Sequence, residues 1–268
     1  MDDYLRSDCE NCFGLCCVAL PYSKSADFAF NKDSGEPCRH LCLDNRCSIH
    51  DQLRDKGFRG CVSYECFGAG QHVSQSIYKE NDWRNNMQSS REMFAVFPVV
   101  QQLHEMLYYL RQALKLTETK RFQKELKKAY DDTIQMTNKT PEEILSLEIP
   151  SHRNTVNDLL IRTSDFVRKG FVNKKSKKSK GLDYLGANLQ GIDLKGENLR
   201  GALLIAANLR NADLRKVDFI GSDLRDADLS NADLTDCIFL TQSQVNSAKG
   251  NLQTKLPYYI NTPNHWQR

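Results

Sequence analysis

Long apolar runs are missing from these 268 residues, and with them the ~18 consecutive apolar positions that a membrane-spanning helix needs. The start, Met1-Asp2-Asp3-Tyr4-Leu5-Arg6-Ser7-Asp8, is acidic and lacks an apolar h-region. No secretory signal is therefore expected, and the expected compartment is the cytoplasm, where thiols stay reduced. Net charge is slight at +3, too little by itself to imply a polyanionic partner. No Ser-His-Asp arrangement, P-loop or G-x-G-x-x-G after a readable strand occurs, so hydrolase and nucleotide-dependent chemistry have no foothold. The charged fraction of 26% and mean hydropathy of -0.57 describe a chain made for water, with room for two or three modules.

Cysteine is distributed unevenly. None occurs between Cys66 and Cys237, yet nine stand in the first quarter: Cys9, Cys12, Cys16, Cys17, Cys38, Cys42, Cys47, Cys61 and Cys66. An odd number in a reducing compartment fits full disulfide pairing poorly. Dense thiolates there point to metal, because zinc takes four tetrahedral thiolate or imidazole ligands and iron–sulfur clusters take four thiolates. Neither familiar spacing is present: the run is not C-x2-C-x2-C-x3-C-P, and the Cys9-x2-Cys12 pair has no counterpart downstream. Adjacent side chains generally point apart, so Cys16 and Cys17 serve two sites, or one is a ligand and the other packs. Eight ligands would fill two four-coordinate sites or bridge one larger cluster. The competing reading is that several are simply buried apolar cysteines. His40 and His50 lie beside cysteines and are candidate ligands or ordinary surface histidines.

The segments Cys9-x2-Cys12-x3-Cys16-Cys17, Cys38-x-His40-Leu41, Arg46-Cys47-Ser48-Ile49-His50 and Cys61-x4-Cys66 resemble the YkgJ-type zinc- or iron-chelating domain over about residues 5–70. That resemblance implies a chelating set of Cys9, Cys12, Cys16, Cys17, Cys38, Cys47, Cys61 and Cys66. Cys42 is extra, His50 stands where the family has Tyr, and Lys56-Gly57-Phe58-Arg59-Gly60-Cys61 lacks the family's Arg-Pro. The family is defined by its cysteines, so the resemblance names a site without naming a reaction.

Residues 71–171 read as helices. Pro98 suits a first helical position, followed by Val99, Val100, Leu103, Met106, Leu107, Leu110 and Leu114 at three- and four-residue steps. Phe122, Leu126, Tyr130 and Ile134 form a second stripe, and Thr140-Pro141-Glu142-Glu143 a capping box. Val156, Leu159, Leu160, Thr163, Phe166 and Val167 form a third stripe, closed by Gly170. Residues 172–181 hold five lysines and no interleaved aromatics, which reads as a linker in preference to a nucleic-acid contact.

From Tyr184 an apolar residue recurs every fifth position through Leu189, Leu194, Leu199, Leu204, Leu209, Leu214, Phe219, Leu224, Leu229, Leu234 and Phe239. Two residues before most of these stands a small one, as at Ala187, Ala202, Ala207, Ala212, Ser222, Ala227, Ala232 and Cys237. Neither helix nor strand has period five, so this is a repeat architecture. With each unit as one side of a square coil, every fifth side chain points inward and coils stack at ~4.8 Å. Residues 182–243 resemble the pentapeptide repeat, A(D/N)LXX, and the resemblance implies a right-handed quadrilateral β-helix. Glu197, Ile192 and Val217 occupy small-residue slots, and Glu197 is expected to mark a distorted corner. Cys237 fills such a slot and is read as packing.

The expected architecture is multi-domain α+β. A cysteine-rich metal-binding domain spans 1–70, a helical region 71–171, a linker 172–181, a β-helix of about three coils 182–243, and a C-terminal cap and tail 244–268. The expected role is a non-catalytic interaction, sensing or protection protein that holds zinc or an iron–sulfur cluster and meets a protein partner through the β-helix, with no membrane and no nucleic-acid partner. The alternative is an iron–sulfur-dependent redox or modifying enzyme. A narrower alternative, imitation of DNA to protect a topoisomerase, is disfavoured. Three coils would need roughly nine matched negative charges, whereas residues 182–243 carry ten acidic and six basic residues, a net of minus four.

The inward stack makes a direct prediction. Leu209→Ala should cost roughly 2–5 kcal/mol as a core truncation, and an unchanged melting temperature would rule the stack out.

Overall fold

The computed structural model describes residues 3–79, 81–171 and 182–267, so the lysine-rich linker 172–181 lies outside them. Contacts divide the chain into two units. One takes in residues up to Leu116 with Lys120–Leu160, and the other Thr117–Thr119 with Ile161–Arg268. No helix among the described residues is long and apolar enough to cross a membrane.

In the first unit the cysteine-bearing chain is mostly irregular. It contains α1 (Leu15–Ala19), α2 (Arg59–Ser63) and α3 (Ala69–Gln71), which runs into a single wide π-turn over His72–Ile77. Further helices follow: α4 (Met87–Lys115), α5 (Gln123–Thr137), α6 (Pro141–Leu145) and α7 (Ile149–Arg168), the last belonging to this unit only as far as Leu160. Phe13, Leu15 and Ala19 share one buried cluster with Ala69, Val73, Met93, Val96, Phe97, Val100 and Ile144. The cysteine segment and the helices therefore fold onto a common core.

Three details depart from the sequence expectation. Pro98 does not start a helix but lies inside α4. A proline there forfeits a backbone bond and crowds the carbonyl four residues back. The helix persists because Met93, Val96, Phe97, Val100 and Leu103 are all fully buried around it. The buried positions of α5 are Leu126, Ala129, Thr133 and Thr137, so its inner face is smaller and more polar than the Phe122–Ile134 stripe. The corner at Glu197 is regular, its N–H reaching Leu194 O at 2.9 Å as the equivalent N–H does at neighbouring corners. The capping box at Thr140 and Glu143 forms as read, both bonds present.

The second unit is built on one register. Parallel backbone bridges join residues twenty apart, as in Asp183 to Leu203 to Asp223 and Asp193 to Asp213 to Asp233. Bonds such as Leu189 N to Asn208 O at 2.8 Å and Leu209 N to Asp228 O at 2.9 Å repeat along the stack. Leu199 through Leu234 are buried at every fifth position, with Ala202, Ala207, Ala212, Ala227 and Ala232 beneath them. Two further positions of each repeat make the corner. Asp or Asn before the inward residue accepts from the N–H two residues on, as Asp193 does from Lys195 at 3.1 Å. Two residues after the inward position the backbone is left-handed, from Gly186 (φ 61°) through Asn211 (φ 57°) to Asp236 (φ 57°). Glycine, asparagine and aspartate are the residues that tolerate this conformation.

The far end is closed by α8 (Gln242–Ser247), started by a capping box between Thr241 and Gln244. The tail then pairs with the stack through Lys249 N to Ala227 O at 2.8 Å and Lys255 N to Ala232 O at 3.0 Å. Trp266 is buried, and its Nε1–H donates to Ala248 O at 3.2 Å. A side chain at Gly250 would put its Cβ 2.6 Å from the Trp266 ring. Gly250→Ala should thus cost about 1–3 kcal/mol by overpacking and shift the Trp266 emission toward that of an exposed indole. Wild-type stability with unchanged emission would contradict this account of the cap.

Candidate metal centre

Five of the nine clustered cysteines are positioned by three short helices and the turns before them. Asp8 caps the turn at Cys9–Asn11, and Gly14 opens α1, which carries Cys16 and Cys17. Cys61 rides on α2, and Cys66 precedes α3, whose Ala69 N–H bonds to Cys66 O at 2.9 Å. Cys38 is tied to Cys17 by a backbone bond, Cys38 N to Cys17 O at 2.9 Å. A tight reversal then pairs Leu41 with Cys47, and Cys42 N with Arg46 O at 2.8 Å, returning Cys47 toward Cys38. All ten cysteines are free thiols.

The sulfurs do not converge as a closed coordination shell. Among the described residues, no three His, Cys, Asp or Glu groups stand in an arrangement that holds a metal ion. Cys16 Sγ and Cys17 Sγ are 3.9 Å apart. The hydrogen bond between them raises the Cys16 thiol and lowers that of Cys17, which the Lys32 ammonium also favours as a thiolate. Cys9 is pushed up to about 12, by burial and then by Cys12 and Cys66. Cys61 is likewise pushed up to about 12, by burial and then by Cys17, Cys38 and Cys47. Thiols so crowded resist ionising together unless a cation arrives, which is the electrostatic condition of a metal-binding set.

Two features of the surroundings fit such a group. Tyr64 Oη is buried and finds no hydrogen-bond partner among the described residues. It lies near Cys16, Cys66 and Cys12, whose charges add to burial in raising its own pKa. An orphaned buried hydroxyl beside thiolates is suited to donate to a coordinated sulfur. Gly70 provides the second. A Cβ there would lie 2.6 Å from Cys12 Sγ and 3.8 Å from Cys66 Sγ, so the missing side chain leaves room where two sulfurs approach.

The structure also shows residues that motif reading did not single out. Lys32 is buried at 3% exposure, and its Nζ donates to the carbonyls of Val18, Asp33 and Glu36, each at 3.0 Å. Ser7 Oγ lies 3.0 Å from Cys66 Sγ and donates to Glu65. Glycine spacing after Cys66 was the one available signal for Gly70, whereas nothing in sequence pairs Lys32 with Cys17. His40 packs edge-on against Phe58 at 5.2 Å, His50 is exposed beside Asp51, and Cys42 is exposed. Cys237 is buried in the repeat core, and burial raises its thiol pKa.

Below Cys66 a histidine pair braces the segment. His104 Nδ1–H donates to Phe67 O at 2.9 Å, and His72 Nε2–H to Thr137 O at 2.8 Å, the rings 5.1 Å apart. Burial pushes His104 down to about 4, with the neighbouring His72 adding to the effect, and burial lowers His72 as well.

Comparison with known proteins gives three results. The family model for pentapeptide repeats matches in eight copies, over residues 186–219 and 202–239. The chain is 59% identical over 265 residues to "Uncharacterized protein YybG" of Bacillus subtilis (strain 168), covering 98% of this chain and 95% of that one. A solved structure of alr5209, a pentapeptide repeat protein from Nostoc Pcc 7120, is 32% identical, covering 30% of this chain and 73% of that chain, with a TM-score of 0.20.

The histidine pair sets a pH dependence. With His104 depressed to about 4 in the fold and near 6.5 when unfolded, the unfolded chain alone takes up the proton between these values. Stability should therefore be full above pH 6.5 and fall on acidification toward pH 4, by on the order of 3 kcal/mol. Denaturation of the wild type and of His104→Gln at pH 7.5 and pH 5 checks this. The variant should lose less on acidification, and equal losses would exclude the role.

Proposed function

This chain belongs to the pentapeptide-repeat protein family that includes Bacillus subtilis YybG, and from that premise we propose that it is a metal-binding interaction protein of the cytoplasm. The observation that carries the proposal is the gathering of eight free thiols, Cys9, Cys12, Cys16, Cys17, Cys38, Cys47, Cys61 and Cys66, in one short segment. These eight residues would hold the metal. The orphaned Tyr64 hydroxyl and the space left by Gly70 support that reading. Zinc would cross-link the segment without redox chemistry, whereas an iron–sulfur cluster would add one-electron exchange. The chain's own part is to bring the thiols together, to set a buried ammonium beside Cys17, and to brace Cys66 through Phe67 and His104. The segment fits a structural or sensing module.

We read the repeat region as a right-handed quadrilateral β-helix of about three coils with a C-terminal cap. Its twenty-residue register and inward leucines support this reading. Its rigid surface is proposed to meet a protein partner. DNA imitation is weakened further by charge pairing along the coils. Arg200 meets Asp218 at 3.2 Å, Arg210 meets Asp228 at 3.2 Å, and Arg225 meets Asp223 at 2.6 Å. Carboxylates tied to arginine do not present a bare phosphate-like array.

Metal and sulfide analysis with an absorption spectrum, on protein purified without oxygen, tests the proposal. Zinc with no visible absorbance is the expected result. Iron with acid-labile sulfide would move the redox-enzyme reading ahead, and protein free of both metals would overturn the metal-binding role.

A further inference from the structure

We infer that the outer surface of the repeat unit Ala202-Leu203-Leu204-Ile205-Ala206, with Leu182 and Leu185 one coil away, is the docking face for an amphipathic helix of a partner protein. This inference rests on the protein-partner role proposed above for the β-helix. The unit breaks the repeat's own rule at three positions, and burial repays none of them.

In every other unit from Asp183 to Asp233, an aspartate or asparagine before the inward residue accepts from the N–H two residues on. Leu203 stands at that position with no oxygen to offer the Ile205 N–H. Ile205 is apolar where Gln190, Lys195, Arg210, Arg215 and Arg225 are polar. Ala206 takes a left-handed corner at φ 55°, a conformation that glycine and asparagine tolerate better. Yet Leu203 is 46% exposed, Leu185 64% and Leu182 43%. Ile238 and Leu240 are the other apolar pair flanking an inward residue, and both are buried just before α8. Locally costly departures that leave leucines in water mark a surface kept for binding.

The coil register makes these residues one patch. Gly186 N donates to Ile205 O at 2.8 Å, which sets Leu185 beside Ile205 one coil away, and Leu203 N donates to Leu182 O at 2.8 Å. Coils stack at ~4.8 Å, while Leu203 and Ile205 lie ~7 Å apart along one strand. Side chains three and four residues apart on a helix stand about 5–6 Å apart. A helix lying along the stack can therefore seat one apolar residue on Leu185 and the next on Ile205. Five residues fall far short of the roughly 20–30 per side in a stable interface between folded chains. That size favours a helical segment over a second copy of this chain.

Charge narrows the helix further. Near the patch, Arg225 is tied to Asp223 and Arg210 to Asp228, so these charges are matched within the stack. Asp183 is exposed beside Leu185 and has no ion-pair partner among the described residues, its carboxylate accepting from Leu185 N at 3.1 Å. A lysine or arginine flanking the helix's apolar residues would complement it. Residues 172–181, just before the repeats, make a poor occupant, with five lysines and one apolar residue, Val172. The partner this face fits is a helix with leucine-class residues at three- and four-residue steps and a basic residue at their edge.

The test returns the unit to the repeat rule in the full chain. Leu203→Asn, Ile205→Gln and Ala206→Asn copy residues that stand at the same positions in other units, as Asn208, Gln190 and Asn211 do. The triple variant should melt a few degrees above wild type and lose the docking face. Helix-biased peptides of about sixteen residues, long enough to hold a helix, are displayed on phage and selected against both chains. Wild type should enrich peptides with leucine, isoleucine or methionine at three- and four-residue steps beside lysine or arginine. The variant should bind the synthesised winners roughly tenfold or more weakly. Peptides held equally by both chains would overturn this face while leaving a protein partner intact, and no enrichment on either chain would remove the partner role too. A variant melting below wild type would show that these residues serve the fold, and would overturn the inference. So would a wild-type dimer in analytical ultracentrifugation that the variant does not form, because a second copy would then cover the face.

Discussion

Cys16 and Cys17 sit side by side on a five-residue helix with sulfurs 3.9 Å apart, and the backbone bond from Cys38 N to Cys17 O ties the following loop to that helix. Cys12 and Cys66 approach one another beside the glycine at position 70, against the hydrophobic core. The loop through Cys38 and Cys47 turns back on itself, and an aromatic cluster of Tyr22, Phe28, Phe30, His40 and Phe58 packs together in the same segment. Little regular secondary structure stiffens this chain. A metal would do so by supplying the cross-links that a short, loop-rich segment cannot obtain from apolar burial alone.

The repeat unit is stabilised by different physics. Each leucine is buried on its counterpart twenty residues away, and each backbone N–H between coils has a fixed acceptor. Order at one coil thus templates the next, as in other one-dimensional repeats. Such a stack must be closed where it ends. Here the closure is α8 together with Trp266, whose indole lies against Gly250. Ala206 and Lys216 occupy left-handed corners without being glycine, asparagine or aspartate, with φ of 55° and 58°. Those two coil corners carry strain that burial of the stack offsets.

How much of this was legible in sequence differs between the units. The stack was, because Leu189 through Leu234 state one contact again and again, and a period of five has no rival explanation. Its corners were not read, although the signal was present: Gly191, Asn211 and Asn231 stand at the same repeat position for the sake of a positive φ. The crowding of cysteines was legible in the sequence, while what packs around each was not. Cys61 and Cys66 are close in sequence, yet only Cys66 packs against the buried cluster of Phe13, Leu15 and Ala69, which the sequence does not state. Lys32, Tyr64 and His104 carry no local pattern, since each acts through a partner far away in the chain. Pro98 misled because its usual position at a helix start says nothing about how strongly the surrounding side chains are buried.

The most direct measurement is X-ray absorption fine structure at the edge of whatever metal the intact, anaerobically purified chain carries. A first shell of four sulfurs, at ~2.3 Å for zinc, with no nitrogen or oxygen neighbours, is the result this account predicts. A shell dominated by nitrogen or oxygen would contradict it, because the metal would then be held by groups other than these thiolates.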